Sequence, residues 1–213
     1  MKKTIIVAFS LLVCLCIMSG CNDNGKTISQ DVLKNDLEYT RGIINENTFE
    51  SQWAGIKCTI PENMKFLSDK ELAETVGLAT DLIYNENQEL VLDYINMTTV
   101  YEFYAVDITS GQVLFMTTEK LPTAMTEDEY SQALRNQFDM IEMDIEYTTE
   151  VLEEVKYGGI TFKKFDVVIP FSESIYIAQT YLIKSIGDRM ICLCATSTDS
   201  NITDAILDGI SSY

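Results

Sequence analysis

The stretch that decides the fold is QTYLIKSIGDRMICLCATS, residues 179–197, in which two apolar segments flank the pair Gly187-Asp188. A short glycine-containing turn between two apolar runs is typical of a β-hairpin. The second run, MICLCA, is apolar at every position, whereas a strand with one wet face alternates apolar and polar residues. Residues 190–195 therefore predict a central strand that is covered on both faces.

Other strands are predicted on the N-terminal side of this hairpin, where β-rich runs end at turn residues such as Gly158-Gly159 and Ser110-Gly111. These runs are residues 39–45, 48–53, 55–61, 100–108, 112–121, 150–157, 160–169 and 174–186. Short turns between most of them favour antiparallel pairing, because parallel strands need long crossover connections.

Two helices are expected from capping boxes, in which Ser or Thr stands three residues before Glu and each side chain bonds the other's backbone N–H. Ser68 with Glu71 opens the first, and Thr126 with Glu129 opens the second. The apolar stripe of the second helix comprises Tyr130, Leu134, Phe138 and Ile141. Between these helices, residues 79–96 favour helix with a break at 85–87.

A last helix is predicted from Ser200 or Asn201 through Ile210. Its buried side is expected to comprise Ile202, Ala205, Ile206 and Ile210. An antiparallel sheet must cover its apolar faces, and this helix and the one around Leu134 supply matching stripes. The predicted fold is α+β: a mostly antiparallel β-sheet covered by helices on both faces, an αβα sandwich.

The N-terminal segment predicts where the protein is located. Two lysines precede an apolar run of residues 4–18, which is shorter than the roughly 20 apolar residues that a membrane-spanning helix needs. The run ends in Ser19-Gly20 and Cys21, the layout of a cleaved secretory signal. Met18 to Cys21 resembles the lipobox of bacterial lipoprotein signals, with Met18 where Leu is usual. An ordinary signal peptide or an uncleaved anchor is the alternative.

The lipobox resemblance implies a domain organisation. Residues 1–20 would be a lipoprotein signal peptide, and the thiol of Cys21 would receive a diacylglyceryl anchor of palmitate type. Cleavage of the signal peptide would then make Cys21 the first residue. Residues 21–38 would form a flexible tether and residues 39–213 a single sandwich domain. The location expected is the extracytoplasmic face of the cell membrane, because two acyl chains hold a protein firmly.

The charge of the chain limits its partners. All 33 acidic residues follow residue 20, whereas Lys2 and Lys3 precede it, so residues 21–213 have a formal net charge of −20. Nucleic acid is therefore not expected as a partner, because phosphates require basic patches. Anionic lipid headgroups are also repelled, so membrane contact depends on the anchor, and the acidity is explained most simply by solubility.

The cysteines predict no metal or redox site. After residue 21 the chain contains Cys58, Cys192 and Cys194, and the last two share one face of a strand. Cys58 could bridge either of them, or all three could be small buried hydrophobic residues. A zinc site would need a fourth ligand, and the sequence contains no histidine.

The sequence contains few candidates for catalysis. Without histidine, Ser-His-Asp and Cys-His arrangements cannot form, and no glycine-rich phosphate loop is present. Paired carboxylates remain for a glycosidase or calcium, although helix starts and solvated faces explain them as well. These acids are Glu127, Asp128, Glu129, Asp139, Glu142, Asp144, Glu146, Glu153 and Glu154. Aromatic residues that could line a ligand groove are Trp53, Tyr101, Phe103, Tyr104, Tyr157, Tyr176 and Tyr181.

A family resemblance covers about residues 39–213. The order is an N-terminal strand pair, the segment GIKCTIPENMKFLSD, a mid-chain helix, a meander ending in QTYLIKSIGDRMICLCATS, and a closing helix. This order resembles the PsbP/Mog1-like sandwich of many small surface lipoproteins of Firmicutes. Members include photosystem accessory proteins and a regulator of a nuclear-transport GTPase, so the resemblance implies a binding scaffold and transfers no functional residues.

These observations favour a membrane-anchored extracytoplasmic lipoprotein that acts as a non-catalytic binding or accessory module, with a protein or envelope partner. No catalytic, cofactor-binding or metal residue is predicted, and Cys21 is the one modification site. The alternative is a carboxylate-dependent hydrolase that acts on cell-wall or dietary glycans.

Overall fold

The structure is a computed structural model that describes residues 38–75, 99–139, 146–147, 152–172 and 175–213. Its strands are β1 (Ile43–Asn45), β2 (Thr48–Ser51), β3 (Ile56–Thr59), β4 (Lys65–Phe66), β5 (Thr99–Val106), β6 (Val113–Lys120), β7 (Glu146–Tyr147), β8 (Glu153–Tyr157), β9 (Ile160–Ser172), β10 (Ile175–Ile186), β11 (Arg189–Ser197) and β12 (Ile210–Ser212). Its helices are α1 (Asp69–Thr75), α2 (Glu127–Asp139) and α3 (Ser200–Leu207).

The hairpin of residues 179–197 lies at the centre of the larger sheet. The strand order is β4-β5-β6-β11-β10-β9-β7, with β8 also paired to β9, and all these pairs are antiparallel. Leu193 of β11 lies opposite Met116 of β6 on one side and Leu182 of β10 on the other. Every residue of β11 is buried, which confirms the predicted central strand and the mostly antiparallel sheet.

One face of the larger sheet packs against α2. Tyr130, Leu134 and Phe138 recur at helical spacing and reach this core together with Leu72 of α1. The ring of Phe138 meets that of Tyr181 edge to face, with centroids 5.9 Å apart. The predicted stripe is confirmed at these three α2 positions, while Ile141 lies outside the described residues.

The opposite face packs against a second, smaller sheet and α3. The smaller sheet has the order β1-β2-β3-β12, again antiparallel. Phe49 and Ile56 from this sheet, and Ile206 and Leu207 from α3, join Leu193 in one buried cluster. The sequence predicted β1, β2 and β3, but it predicted neither β12 nor the separation of these strands into a sheet of their own.

The C-terminal prediction needs a correction. Helix α3 ends at Leu207 rather than Ile210, Ala205 is exposed, and Ile210 is buried as the first residue of β12 opposite Cys58. Gly209 makes this turn possible, because a Cβ there would lie 1.9 Å from the carbonyl oxygen of Thr59.

The remaining predicted elements are present where the structure describes them, although the predicted strand of residues 39–45 forms only over Ile43–Asn45 and that of residues 48–53 ends at Ser51. Both capping boxes form: Ser68 N–H donates to Glu71 at 2.8 Å and Thr126 N–H donates to Glu129 at 2.9 Å. The predictions for residues 1–37 and 79–96 fall outside the described residues.

Candidate functional site

The candidate site is a groove beside β1, the edge strand of the smaller sheet. Its first wall is the β1–β2 hairpin, which turns through Glu46 and Asn47. Glu46 has a φ of 52°, a left-handed conformation that two-residue hairpin turns require. Asn47 then accepts a hydrogen bond of 2.9 Å from the backbone N–H of Ile60, which fixes the turn against the segment after β3.

The floor of the groove is apolar and follows β3 in the chain. Ile60 and Met64 are buried, and a turn closes between them through a 2.9 Å bond from Met64 N–H to the Pro61 carbonyl. The next strand brings Phe66, whose ring meets Phe103 edge to face at 5.4 Å. The floor is therefore fastened to the larger sheet, and the flexible side chain of Met64 can adapt to a ligand.

The second wall is the start of α1. The capping box places Glu71 beside the groove, where Lys65 Nζ approaches its carboxylate at 3.3 Å. The pKa of Glu71 is lowered, first by the hydrogen bond from the Ser68 backbone N–H, then by the Ser68 hydroxyl and Lys65. Glu71 is therefore charged at neutral pH, and it is exposed.

Asp69 adds a second carboxylate to this wall. Arg41 donates a hydrogen bond of 2.6 Å to Asp69, and its guanidinium also bonds the backbone carbonyls of Tyr101 and Glu102. Arg41 thereby joins the segment before β1 to both α1 and β5, so the two walls of the groove are connected.

The groove between these walls has a volume of about 550 Å³. It is lined by Ile44, Glu46, Asn47, Ile60, Met64, Lys65, Phe66, Leu67, Ser68, Asp69 and Glu71. Asp69 is paired with Arg41 and Glu71 with Lys65, so the excess negative charge of this lining comes from Glu46. A second groove of about 370 Å³ adjoins it across Lys65 and Leu67 and adds Glu74 and Asp107 to the same region.

A buried carboxylate holds β1 in place. Glu102 is 1% exposed and lies at a register shift between Tyr101 and Phe103 in β5. It accepts hydrogen bonds from the Tyr39 hydroxyl at 2.8 Å, the Gly42 N–H at 3.0 Å and the Thr118 hydroxyl at 2.7 Å. These bonds satisfy the oxygens of a carboxyl group that would be costly to bury without partners.

The ring of Tyr39 forms the outer part of this contact. The guanidinium of Arg189 stacks on it at 3.8 Å from the ring centroid, and Trp53 meets it edge to face at 5.0 Å. Burial and the neighbouring Glu102 raise the pKa of Tyr39 far above its usual range. The phenol therefore stays protonated and keeps donating to Glu102.

Sequence analysis missed Glu102 and Arg41. A weak signal for Glu102 was present, since it is the charged residue within the run VYEFYAV. Arg41 gave no signal, because its partners lie far away in the chain and only the fold brings them together.

The first predicted acidic group is used in the structure of α2. Glu129 completes the capping box, and Asp128 is exposed. Glu127 accepts bonds from the Ser185 N–H and hydroxyl. Burial alone would raise the pKa of Glu127, but the two bonds from Ser185 outweigh it and lower that pKa.

The other predicted acids do not form a facing pair in the described part of the chain. Glu153 and Glu154 are exposed on β8, and Glu154 lies 3.9 Å from Lys163. Neither the residues 142 and 144 nor the side chains of Asp139 and Glu146 are described. Among the described residues, no group of three or more Cys, Asp or Glu could hold a metal ion.

Most of the predicted aromatic residues belong to the core rather than to a ligand groove. Tyr176 is 42% exposed, and the hydroxyl of Tyr157 donates to Asp204 at 2.9 Å. The buried ones are Trp53, Tyr101, Phe103, Tyr104 and Tyr181.

The three cysteines of the described chain are buried and free. Cys192 and Cys194 share the cluster on the α2 side, as their alternation predicted, while Cys58 packs in the cluster of the smaller sheet. The larger sheet separates Cys58 from the other two, so neither of the two possible bridges is present. The predicted lipidation site, Cys21, lies outside the described residues.

Comparisons with known proteins complete this description. No family model and no curated protein sequence matches the chain. It is similar to the solution structure of cyanobacterial PsbP (CyanoP) from Synechocystis sp. PCC 6803, with 10% identity, a TM-score of 0.47, and 81% of this chain and 95% of that chain covered. It is also similar to LpqN, involved in cell envelope biogenesis of Mycobacterium tuberculosis, with 8% identity, a TM-score of 0.38, and coverage of 73% and 82%.

A third similar structure is a protein from Bacteroides thetaiotaomicron VPI-5482, with 10% identity and a TM-score of 0.39. That match covers 80% of this chain and 49% of the other, so the chain spans about half of its length. Because the three TM-scores are below 0.5, we argue function from this chain's own residues. Within the described residues, no helix has both the length and the apolar character needed to cross a bilayer.

Proposed function

We propose that this chain is a lipid-anchored extracytoplasmic binding module that captures a protein segment in the groove beside β1. The observation that carries this proposal is the groove itself, about 550 Å³ between an edge strand and the start of α1. Cavities of several hundred cubic ångströms with an apolar floor and a few polar groups are the usual form of a binding site.

The anchor in this proposal comes from the lipobox at residues 18–21. A diacylglyceryl group on Cys21 would hold the body outside the membrane without a basic surface, which suits its strongly negative charge. Between Cys21 and Tyr39, which contacts the core, the chain is long enough to lift the groove away from the headgroups.

A binding role without catalysis agrees with how the acids are used. Within the described part of the chain, Glu71 and Glu129 cap helices, Glu127 bonds a strand and Glu102 holds β1. Nothing among these residues favours the carboxylate-dependent hydrolase. We also propose the finer description of the fold, an αβα sandwich with α2 over one face and α3 beside the smaller sheet over the other.

The anchor can be tested with the full chain produced in a bacterium that processes lipoproteins. Cells fed an alkyne-bearing palmitate should label the wild type and the control Cys14→Ala, and labelling should be lost in Cys21→Ala. Mass spectrometry should then find the modified cysteine as the first residue. An unmodified thiol at Cys21, or label that persists in Cys21→Ala, would overturn the anchor.

The groove can be tested on the same cells with a photo-crosslinking amino acid. Ile43 is 65% exposed on β1, next to Ile44, which lines the groove, whereas Tyr213 is 63% exposed and lies outside both β1 and the groove lining, so it is a matched control. We expect a discrete adduct from position 43 and none from position 213. Equal adducts at both positions, or no adduct at position 43, would contradict binding at this groove.

A further inference from the structure

We propose that the occupant of the groove is an extended, lysine- or arginine-bearing peptide segment that adds to β1 as a further strand. This inference rests on the proposed binding function and names the chemistry of its partner. Three observations on the described residues support it: an open sheet edge, a groove directly beneath that edge, and a negative lining.

The open edge is the outer side of β1. Among the described strands β1 pairs only with β2, in the register Ile43–Glu50, Ile44–Phe49 and Asn45–Thr48. The two-residue turn closes a hydrogen-bonded pair between Asn45 and Thr48. Because such pairs alternate along an antiparallel ladder, the N–H and C=O of Ile44 are expected to point away from β2.

Nothing on β1 itself blocks the addition of a strand. Native edge strands are commonly protected by lysine, proline or a bulge. The sequence of β1 is Ile-Ile-Asn, without charge or proline, and the side chain of Ile43 is 65% exposed. By contrast β4, the edge of the larger sheet, begins with Lys65.

The groove lies where an added strand would place its side chains. Ile44 lines the groove and also packs against the core cluster of the smaller sheet, so this face of β1 looks into the groove. Alternate residues of an added strand would project to the same face. Main-chain bonds would then supply affinity, while the groove beneath would select side chains.

The charge of the lining selects a basic segment. Of the three carboxylates in the lining, Asp69 is paired with Arg41 and Glu71 with Lys65, so Glu46 supplies the excess negative charge, and Glu74 and Asp107 extend it into the adjoining groove. Glu46 has no ion-pair partner closer than 4.0 Å among the described residues, and it is exposed at the turn that ends β1. The aliphatic stems of lysine or arginine can lie on Met64 and Phe66 while their charged ends reach these acids.

The proposal can be tested with the full chain in neutral detergent and fluorescein-labelled octapeptides. The first peptide repeats Lys-Val four times, and the second repeats Glu-Val four times as a charge control. A third carries the Lys-Val sequence with N-methyl groups on its two central residues, which removes donors on both strand edges. Fluorescence anisotropy measures the Kd of each.

We expect the Lys-Val peptide to bind at least tenfold more tightly than the Glu-Val peptide, with an affinity that falls as salt is raised. N-methylation should weaken binding by about tenfold or more, because the donor that faces β1 is lost and the methyl group in its place keeps the two strands apart. Equal binding of the Lys-Val and Glu-Val peptides, no binding of either, or tolerance of N-methylation would overturn the proposal.

Variants of the protein place the binding at the groove. Glu46→Asn with Glu71→Gln removes two lining charges, keeps a residue suited to the turn and keeps the capping box. Glu153→Gln with Glu154→Gln is the matched control, since both acids are exposed on β8. The double variant of Glu46 and Glu71 should weaken binding of the Lys-Val peptide about three- to tenfold. The control variant should weaken it by less than about twofold.

Equal losses in the two double variants would show that the peptide responds only to net charge, and this would overturn the inference. Its failure is distinguishable from failure of the proposed function. If labelling at Cys21 and crosslinking at Ile43 succeed while the peptides do not bind, the anchored binder stands and the basic partner is wrong. If the peptides bind but Cys21 is unmodified, the basic partner stands and the lipid anchor is wrong.

Discussion

The phenol of Tyr39 donates a hydrogen bond of 2.8 Å to the carboxylate of Glu102, 63 residues further along the chain. Together with the bond from the Gly42 N–H, this contact fixes the segment that leads into β1. The open edge beside the groove is therefore held from one end by a buried carboxyl group.

Replacing Glu102 should destabilise the protein. Glu102→Ala leaves Tyr39, Gly42 and Thr118 without their buried acceptor and should lower the free energy of unfolding by about 3–5 kcal/mol. Glu102→Gln keeps one acceptor oxygen and should cost less. Urea unfolding can be followed by the fluorescence of the single tryptophan, Trp53, which packs on Tyr39. The exposed control Glu154→Gln should change stability by less than about 0.5 kcal/mol, and a similar small change in Glu102→Ala would contradict the prediction.

Gly209 should tolerate no side chain. Gly209→Ala places a Cβ against the Thr59 carbonyl, and backbone atoms must move to admit it. We expect a loss of about 3 kcal/mol or more in unfolding free energy. Gly187→Ala is the control, because Gly187 has a φ of 62° but open space around it, so only about 1–2 kcal/mol of strain is expected. Equal losses of unfolding free energy in the two variants would show that contact with the Thr59 carbonyl does not contribute to the effect of Gly209→Ala.

Glu119 should make stability fall as the pH rises. Burial raises the pKa of Glu119, and the hydrogen bond of 2.9 Å from the Tyr130 hydroxyl only partly opposes this. The unfolded carboxyl ionises near pH 4.3, so above that pH the folded state binds more protons than the unfolded state and loses stability until its own pKa is passed.

Glu119→Gln removes this ionisation while keeping an acceptor for Tyr130. Its unfolding free energy should match the wild type at pH 4 and exceed it at pH 7. The urea midpoints of both proteins at pH 4 and pH 7 measure the difference. A variant that equals the wild type at pH 4 but is less stable than the wild type at pH 7 would contradict the assigned cause.

The contribution of Asp107 to stability should have the opposite pH dependence and should be lost at low pH. Its pKa is lowered to about 2, first by the Ser110 hydroxyl and then, against some burial, by the Thr109 N–H and by Asn63. This contribution to stability is present above the unfolded pKa of about 3.9 and is lost as the pH falls towards 2. Asp107→Asn should therefore lose less stability than the wild type between pH 4 and pH 2, in the same urea measurement. A steeper loss in the variant would contradict it.

The three thiols of the described chain should resist modification while the protein is folded. Burial raises the pKa of Cys58 and of Cys194 to about 12, and that of Cys192 well above its usual value, so almost no thiolate is present at pH 8. Iodoacetamide followed by peptide mapping should find each of them unmodified in buffer and alkylated in 6 M urea. Alkylation of any of them in the folded protein would indicate local opening.

Local patterns predicted most elements of the fold, and long-range pairings explain what they missed. The apolar run of β11 and the capping boxes at Ser68 and Thr126 determine structure within a few residues, so they can be identified from the sequence. The second sheet of β1, β2 and β3 is completed by β12, which comes from the far end of the described chain. No local sequence pattern predicts pairing with so distant a strand.

The groove was equally out of reach of sequence reasoning. It forms where the β1–β2 turn, the segment around Met64 and the start of α1 meet, and the capping box of Ser68 and Glu71 marks only the last of these, without indicating a groove. Glu102 illustrates the difficulty, because the register shift at this residue interrupts the alternation that would have marked it as inward-facing.

The position of β12 in the chain has a consequence for the order in which the protein folds. Its backbone joins β3 on one side and reaches Gly158 on the other, where the Ser212 N–H donates at 3.1 Å, so residues 210–212 connect the two sheets. A chain that emerges from the ribosome with its N-terminus first presents these residues after the other strands. Until then the apolar side chains of Phe49 and Ile56 lack part of their cover, so the core between the two sheets is completed late.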